Sequence, residues 1–251
     1  MKVVIERDSL INGLNAVLDI VPSKTALPVL SNILLDTEEG GGIRMSATDL
    51  DISIQCSVAA TIEEAGSTTV PARKFAEIVR ELPDEPMVLE ADEGRVTLRR
   101  QDGGAGAYTL MSVPAEDFPE LPSGIDGPEM GFAAESGGIG GSDFLRGMIS
   151  KTAFAVSRDE TRPVLTGVLW QVGDGRMTMV ATDGARLVRY SRAFPAAEGE
   201  AVQQDAIVPT RALNHIVKLL SAGCRLETAR FGQNHLQFDL VGDGEATSED
   251  G

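Results

Sequence analysis

The strongest constraint on this chain is that it is written twice. Residues 28 onward read PVLSNILLDTEEGGGIRMSATDLDISI, and residues 163 onward read PVLTGVLWQVGDGRMTMVATDGARLVRY. Both runs hold Pro-Val-Leu, a small polar pair, an apolar stretch, a Gly/Asp turn and a strand ending in Ala-Thr-Asp. Pro28 recurs as Pro163 and Asp49 as Asp183, at offsets of 135 and 134 residues. Two further blocks keep the order. TTVPARKFAEIVREL (68–82) matches AIVPTRALNHIVKLL (206–220), and RDSLINGLNAVLDIVPSK (7–24) lies opposite SDFLRGMISKTAFAVSRD (142–159). Matched blocks in constant order at nearly constant offset mark a tandem duplication of one domain of about 125 residues, an ordinary domain size.

The boundary falls where Pro, Gly and Ser concentrate. Residues 118–141 read FPELPSGIDGPEMGFAAESGGIGG, which predicts a linker, an edge strand and a Gly-rich connection into the next helix. The junction belongs near 122–128, giving domains 1–125 and 126–251.

Within a copy the pattern is strands interrupted by two helices. Val3 and Ile5 open an alternating strand, and a helix capped by Asp8 or Ser9 carries Leu10, Leu14, Val17 and Val21 on one face. Short strands broken by Gly and Asp follow, with the Pro-Val-Leu segment entering the first of them. A Val-Pro pair then introduces the second helix, proline being tolerated in a helix's first turn. Phe75, Ile78, Val79 and Leu82 form its apolar stripe, repeated as Leu213, Ile216, Val217 and Leu220. This is an α+β domain with two helices packed on antiparallel sheet. Opposite the stripes stand Arg73, Lys74 and Arg80, diluted by Glu77 and Glu81, and in the second copy Arg211 and Lys218. The excess acid lies mostly in the loops.

Composition excludes more than it selects. The net charge of −16 argues against nucleic acid unless the basic residues gather on one surface, because phosphate contacts need Lys and Arg. The first copy carries −11 and the second −5. There is no run of about 18 apolar residues to span a membrane. MKVVIERDSL is no secretory signal, so the cytoplasm is the expected compartment. Cys56 and Cys224 stand far apart with no CxxC and no nearby histidine, which reads as two free thiols.

Catalysis finds little support. Asp49 with Asp51, or Asp183 with His215, has the residue types of an acid–base or metal pair. Yet both Ala-Thr-Asp segments end a strand before a turn, where Asp is a routine turn residue. His215 and His235 lack a partner at metal-ligand spacing, and GGIGG (137–141) and GGAGA (103–107) lack the Lys-Ser/Thr of a phosphate loop. No GxSxG or Cys–His signature is present, so no cofactor or metal is expected.

The strand-ending ATD of each copy, VPARKF and VPTRAL at the second helices, SVPAEDFPELP and above all VATDGARL resemble the bacterial DNA polymerase III beta subunit, the sliding clamp family. The resemblance covers nearly the whole chain and implies the DNA-clamp fold. It implies a non-catalytic processivity factor, in which two subunits of three such domains form a ring around duplex DNA. Polymerase III and the clamp loader then attach through short peptide motifs. Contacts to phosphate carry no sequence information, which suits a sliding ring. The DNA-facing positions it implies are Lys24, Arg73, Arg158, Arg162 and Arg211; Lys74 and Lys218 join them from helical facing. The partner-peptide pocket falls on Leu165, Thr182, Gly184, Arg186 and Leu187. The family often has histidine after that glycine, where this chain has Ala185.

A departure comes at the end. The second copy has no equivalent of FPELP and no third copy follows, so the expectation is an incomplete clamp, monomeric, with half of its peptide pocket. The alternatives are a self-sufficient two-domain clamp closing as a trimer and a protein-interaction scaffold.

Overall fold

The computed structural model describes residues 1–92, 94–104, 106–122, 124–132, 140–193 and 203–242. The chain divides into two compact units, Met1–Leu121 and Pro122–Gly251. In the first unit the elements run β1 (Lys2–Ile5), α1 (Arg7–Val17), β2 (Asn32–Thr37), β3 (Ile43–Thr48), β4 (Ser53–Val58), β5 (Thr61–Glu64), β6 (Ser67–Pro71), α2 (Ala72–Glu81), β7 (Met87–Asp92), β8 (Arg95–Arg100) and β9 (Ala107–Met111). The second holds β10 (Glu129–Gly131), α3 (Gly141–Ser150), β11 (Gly167–Gly173), β12 (Arg176–Thr182), β13 (Leu187–Ala193), β14 (Gln204–Pro209), α4 (Thr210–Ser221), β15 (Arg225–Phe231) and β16 (Leu236–Val241).

The duplication is a duplication of topology. One sheet of the first unit has the order β4-β3-β2-β6, and one of the second has β13-β12-β11-β14. The other sheets are β5-β1-β7-β8-β9 and β10-β15-β16, and every strand pairing is antiparallel. This is the expected α+β architecture of repeated domains, each with two helices on antiparallel sheet.

Each unit has its own core. In the first, Leu10, Leu14 and Val17 of α1 and Phe75, Ala76 and Val79 of α2 pack with Val3, Ile33, Met45 and Leu89 from the strands. Gly13 permits this closeness, since a Cβ there would meet Met45 Sδ at 2.5 Å and Val58 Cγ1 at 3.0 Å. In the second, Trp170 is fully buried with the Phe238 ring edge-on at 5.6 Å, among Phe144, Met148, Leu213 and Leu226. Burial of such side chains contributes roughly 1.5–3 kcal/mol each.

Four local expectations need correction. Helix α1 starts at Arg7 after Glu6, which makes no side-chain cap, so Asp8 and Ser9 lie inside it. The Arg7 guanidinium instead donates to the carbonyls of Val79 at 3.2 Å and Arg80 at 2.9 Å, satisfying the C-terminal end of α2. The Pro-Val-Leu segments are 3-10 turns, Pro28–Ser31 and Pro163–Leu165, not strand entries. Proline at the first position fixes φ and removes the amide a strand ladder would need. Lys24 therefore precedes a turn. Pro71 and Pro209 sit one place earlier than expected, at the N-caps of α2 and α4, where they also end β6 and β14. Val21 is buried but lies beyond α1, and the Gly-rich connection at 133–139 lies outside the described residues.

Candidate nucleic-acid and peptide interface

The amphipathic helices set one face of each unit. With Ala72, Phe75, Ala76 and Val79 buried, α2 turns Arg73, Lys74, Glu77 and Arg80 outward. Arg73 Nη2 donates to Val21 O at 3.4 Å, which draws its side chain toward the loop that carries exposed Lys24. In the second unit α4 buries Leu213, His215, Ile216 and Leu220 and exposes Arg211 and Lys218. Arg158 and Arg162 are exposed in the loop before the Pro163–Leu165 turn, Arg162 Nε bonding Asp159 Oδ2 at 3.1 Å. Two hydrogen bonds from Thr161, and after them the one from Arg162, hold the Asp159 carboxyl below its usual range. All seven cations expected from the sequence are thus exposed. Lys24, Lys74 and Arg158 have no ion pair among the described residues.

The second cluster forms where three segments of the second unit converge. The Thr182–Leu187 hairpin turn is fixed from within: Asp183 Oδ1 accepts the amides of Ala185 and Arg186, both at 3.0 Å, and Thr182 Oγ1 donates to Arg186 O at 2.7 Å. Gly184, at φ +91°, makes the left-handed step the turn requires. The two amide bonds and the Arg186 guanidinium hold the Asp183 carboxyl below the usual carboxylate range. Arg186 reaches back from this turn: Nε bonds Asp183 Oδ2 at 3.1 Å and Nη2 donates to Phe154 O at 3.0 Å. Its guanidinium lies 5.6 Å from the Phe154 ring centroid, a cation–π stack. Ser157 N donates to Leu165 O at 2.8 Å and joins the third segment.

The result is an apolar surface in which Phe154 is 58% exposed, Val164 67% and Leu187 64%. Of the residues expected to form the pocket, Leu187 is on this surface, Arg186 clamps it, Thr182 and Gly184 shape the turn, and Leu165 is half-buried beneath. Phe154 and Val164 were missed. Val164 was in view inside the Pro-Val-Leu motif, but only a 3-10 turn puts it outward while half-burying its neighbour. Phe154 is paired by the repeat with Asp19, so the comparison of copies hid it. Arg162, assigned to DNA from the sequence, borders this surface, its Nη1 lying 3.7 Å from where a Gly184 Cβ would be.

Neither enzyme reading gains from the geometry. Asp49 Oδ1 accepts the amides of Asp51 and Ile52 at 3.1 and 2.8 Å, the same turn device as Asp183. No group of His, Cys, Asp or Glu among the described residues has the arrangement to hold a metal. No described helix is long and apolar enough to cross a membrane.

A model of the DNA polymerase III beta subunit N-terminal domain matches residues 1–122, and one of the central domain of that subunit matches residues 141–248. The chain is 36% identical over 223 residues to a beta sliding clamp of Synechococcus elongatus, covering 88% of this chain and 56% of that one. Against the beta sliding clamp of Vibrio cholerae the figures are 33% over 242 residues, 96% and 62%. Among solved structures, the DNA polymerase III subunit beta of Pseudomonas aeruginosa superimposes with a TM-score of 0.82 at 30% identity, covering 95% of this chain and 61% of that one. The sliding clamp of Bacillus subtilis gives 0.78 at 28%, with 96% and 64%. The chain thus spans 56–64% of the length of these relatives. With domain models on both units and clamp relatives over nearly its whole length, the chain belongs to the DNA polymerase III beta subunit family, the beta sliding clamps.

Proposed function

We propose that this chain is the DNA-encircling part of a processivity factor, its two units being the first and second domains of a sliding clamp. It performs no chemistry. It holds duplex DNA without reading sequence and carries polymerase III and the clamp loader through short peptides. The observation that carries the DNA reading is a matched placement. Arg73 with Lys74, and Arg211, stand exposed on the first turn of the second helix in both units of a chain at −16. Cations gathered on helices within an acidic molecule give weak, salt-screened phosphate contacts, the kind that permit sliding.

The peptide reading rests on Phe154, Val164 and Leu187, three large apolar side chains exposed together and clamped by Arg186. The same patch favours a second reading, a two-domain interaction scaffold that binds peptides without closing a ring. The cytoplasm is the proposed compartment and the monomer the proposed state.

Molar mass in solution, by light scattering across a concentration series, tests the assembly. A monomer near 26.6 kDa is expected. A stable trimer would replace it with a self-sufficient two-domain ring. Titration with a clamp-binding peptide separates the readings further: weak binding lost in Leu187→Ala is expected, and no binding at any concentration would overturn the peptide site.

A further inference from the structure

Part of the stretch that the sequence marks as a linker is bound. Phe118, only 6% exposed, anchors its near end in the first unit, and Met130 and Phe132, in the core of the second, anchor the far end. Between these anchors residues 125–128 lie on the turn that joins β15 to β16. Ile125 is half-buried and seated against Gly232, where a Cβ would meet Ile125 Cγ2 at 2.3 Å. A Cβ on Gly127 would meet Phe231 O at 1.9 Å. Phe231 N donates to Pro128 O at 3.0 Å, and Gly232 N donates to His235 O at 2.9 Å, closing the turn itself.

Charge acts at the same place. Arg230 Nη2 bonds Glu129 Oε2, and that bond, followed by the carboxylates of Glu129, Asp239 and Asp126, raises the guanidinium's pKa. The two glycines exclude a side chain for different reasons. Gly232 lies outside the left-handed region, so the obstacle there is chiefly Ile125, with His235 O at 3.2 Å behind it. At Gly127 the obstacle is a backbone oxygen, which cannot swing aside as a side chain can. Two approaches too close for a methyl group, on one turn, mark a fitted contact.

We propose that residues 125–128 are a strap that closes on the β15–β16 turn and opens as one piece, a conformational device that sets the length of the tether between the anchored parts of the two units. Closed, the tether runs from Phe118 to Ile125 and reaches at most about 25 Å. Open, it runs on to Glu129 and gains four residues, about 13–14 Å of reach. Strap and turn both belong to the second unit, so closure needs no DNA, peptide or second copy.

Amide hydrogen exchange on the whole chain tests it, the Phe231 amide reporting the strap and the Gly232 amide the turn beneath. Both are expected to be protected in the wild type. Gly127→Ala should speed exchange at Phe231 by about ten-fold and leave Gly232 within about two-fold. Gly232→Ala should speed Phe231 to a similar extent and open the Gly124–Ile125 bond to thermolysin. Adding Ile125→Ala to that variant deletes the obstructing Cγ2 and should restore much of the protection at Phe231, a recovery that general destabilisation cannot give. A Gly-Ser insertion between Leu121 and Pro122 should leave Phe231 protected and the Trp170 melting curve unmoved, whereas the same insertion between Gly127 and Pro128 should disturb both. An unprotected Phe231 amide in the wild type, no change in exchange or thermolysin cleavage in Gly232→Ala, a double variant as fast as the single one, or equal effects of the two insertions overturns the proposal.

Discussion

Lys24, Lys74 and Arg158 are exposed cations at proposed DNA positions that neither a described carboxylate nor, as with Arg73, a backbone carbonyl engages, so their removal isolates the phosphate contribution with little structural change. Each phosphate neutralised on duplex DNA steepens the dependence of log K on log salt by about 0.9. Replacing all three with Gln should therefore flatten the slope by up to about 2.7. Between 50 and 200 mM salt that difference amounts to roughly forty-fold, so the wild-type chain loses about forty times more affinity than the variant over this range. Arg95→Gln with Arg99→Gln, on β8, serves as the control and should leave the slope alone. Anisotropy of a labelled 20-base-pair duplex, titrated at four salt concentrations, measures all three proteins. Equal slopes in the wild type and the triple variant, or an equal fall in the control, would refute the placement of DNA at these three positions.

Thr69 is fully buried, donates to Val113 O at 2.7 Å and accepts from Asn32 Nδ2 at 2.9 Å and Val113 N at 3.0 Å. Thr69→Val orphans these partners and should cost about 2–3 kcal/mol in denaturant melts, while Thr69→Ser should recover most of it. Burial raises the Asp36 carboxyl above its ordinary value, Arg44 opposing and Glu38 adding to the rise. A raised carboxyl weakens the folded state above its folded pKa and stops doing so as pH falls through that value toward the unfolded one. Asp36→Asn should therefore raise Tm at pH 7, with the gain shrinking in acid; a gain that grows in acid would reverse the assignment. Leu50 stands at φ +81° where the second copy has Gly184 at +91°. Leu50→Gly relieves a left-handed leucine and should stabilise the first unit by roughly 0.5–1 kcal/mol after the entropy cost of glycine; calorimetry decides the sign.

Repetition made the architecture readable from the letters. Helical stripes at Phe75–Leu82 and Leu213–Leu220 and strands ending at Thr48 and Thr182 emerged where expected, because periodicity reports which face is buried and repetition filters out accident. Local starts and stops were less legible. The true start of α1 depends on Arg7 reaching carbonyls 72 and 73 residues away, a tertiary contact with no local signature. The Pro-Val-Leu segments look like strand entries in the letters because they are apolar and adjoin a strand, but proline's fixed φ and missing amide make each a 3-10 turn. At the apolar surface the resemblance supplied the turn residues, and the structure added Phe154. Its place beside the turn is fixed by a guanidinium approaching from 32 residues along the chain, which spacing does not encode.

Trp170 is the protein's single tryptophan, and it is sealed in the second unit's core against the edge of Phe238. The molecule consequently has a built-in reporter that sees only half of it. Tryptophan emission begins blue-shifted and reddens when the second unit opens, while the first unit, with Tyr108 partly exposed, melts almost invisibly at that wavelength. Circular dichroism registers both. If the two curves coincide, the repeats unfold as one cooperative body; if they separate, the gap measures how far two copies of one ancestral domain have drifted apart in stability.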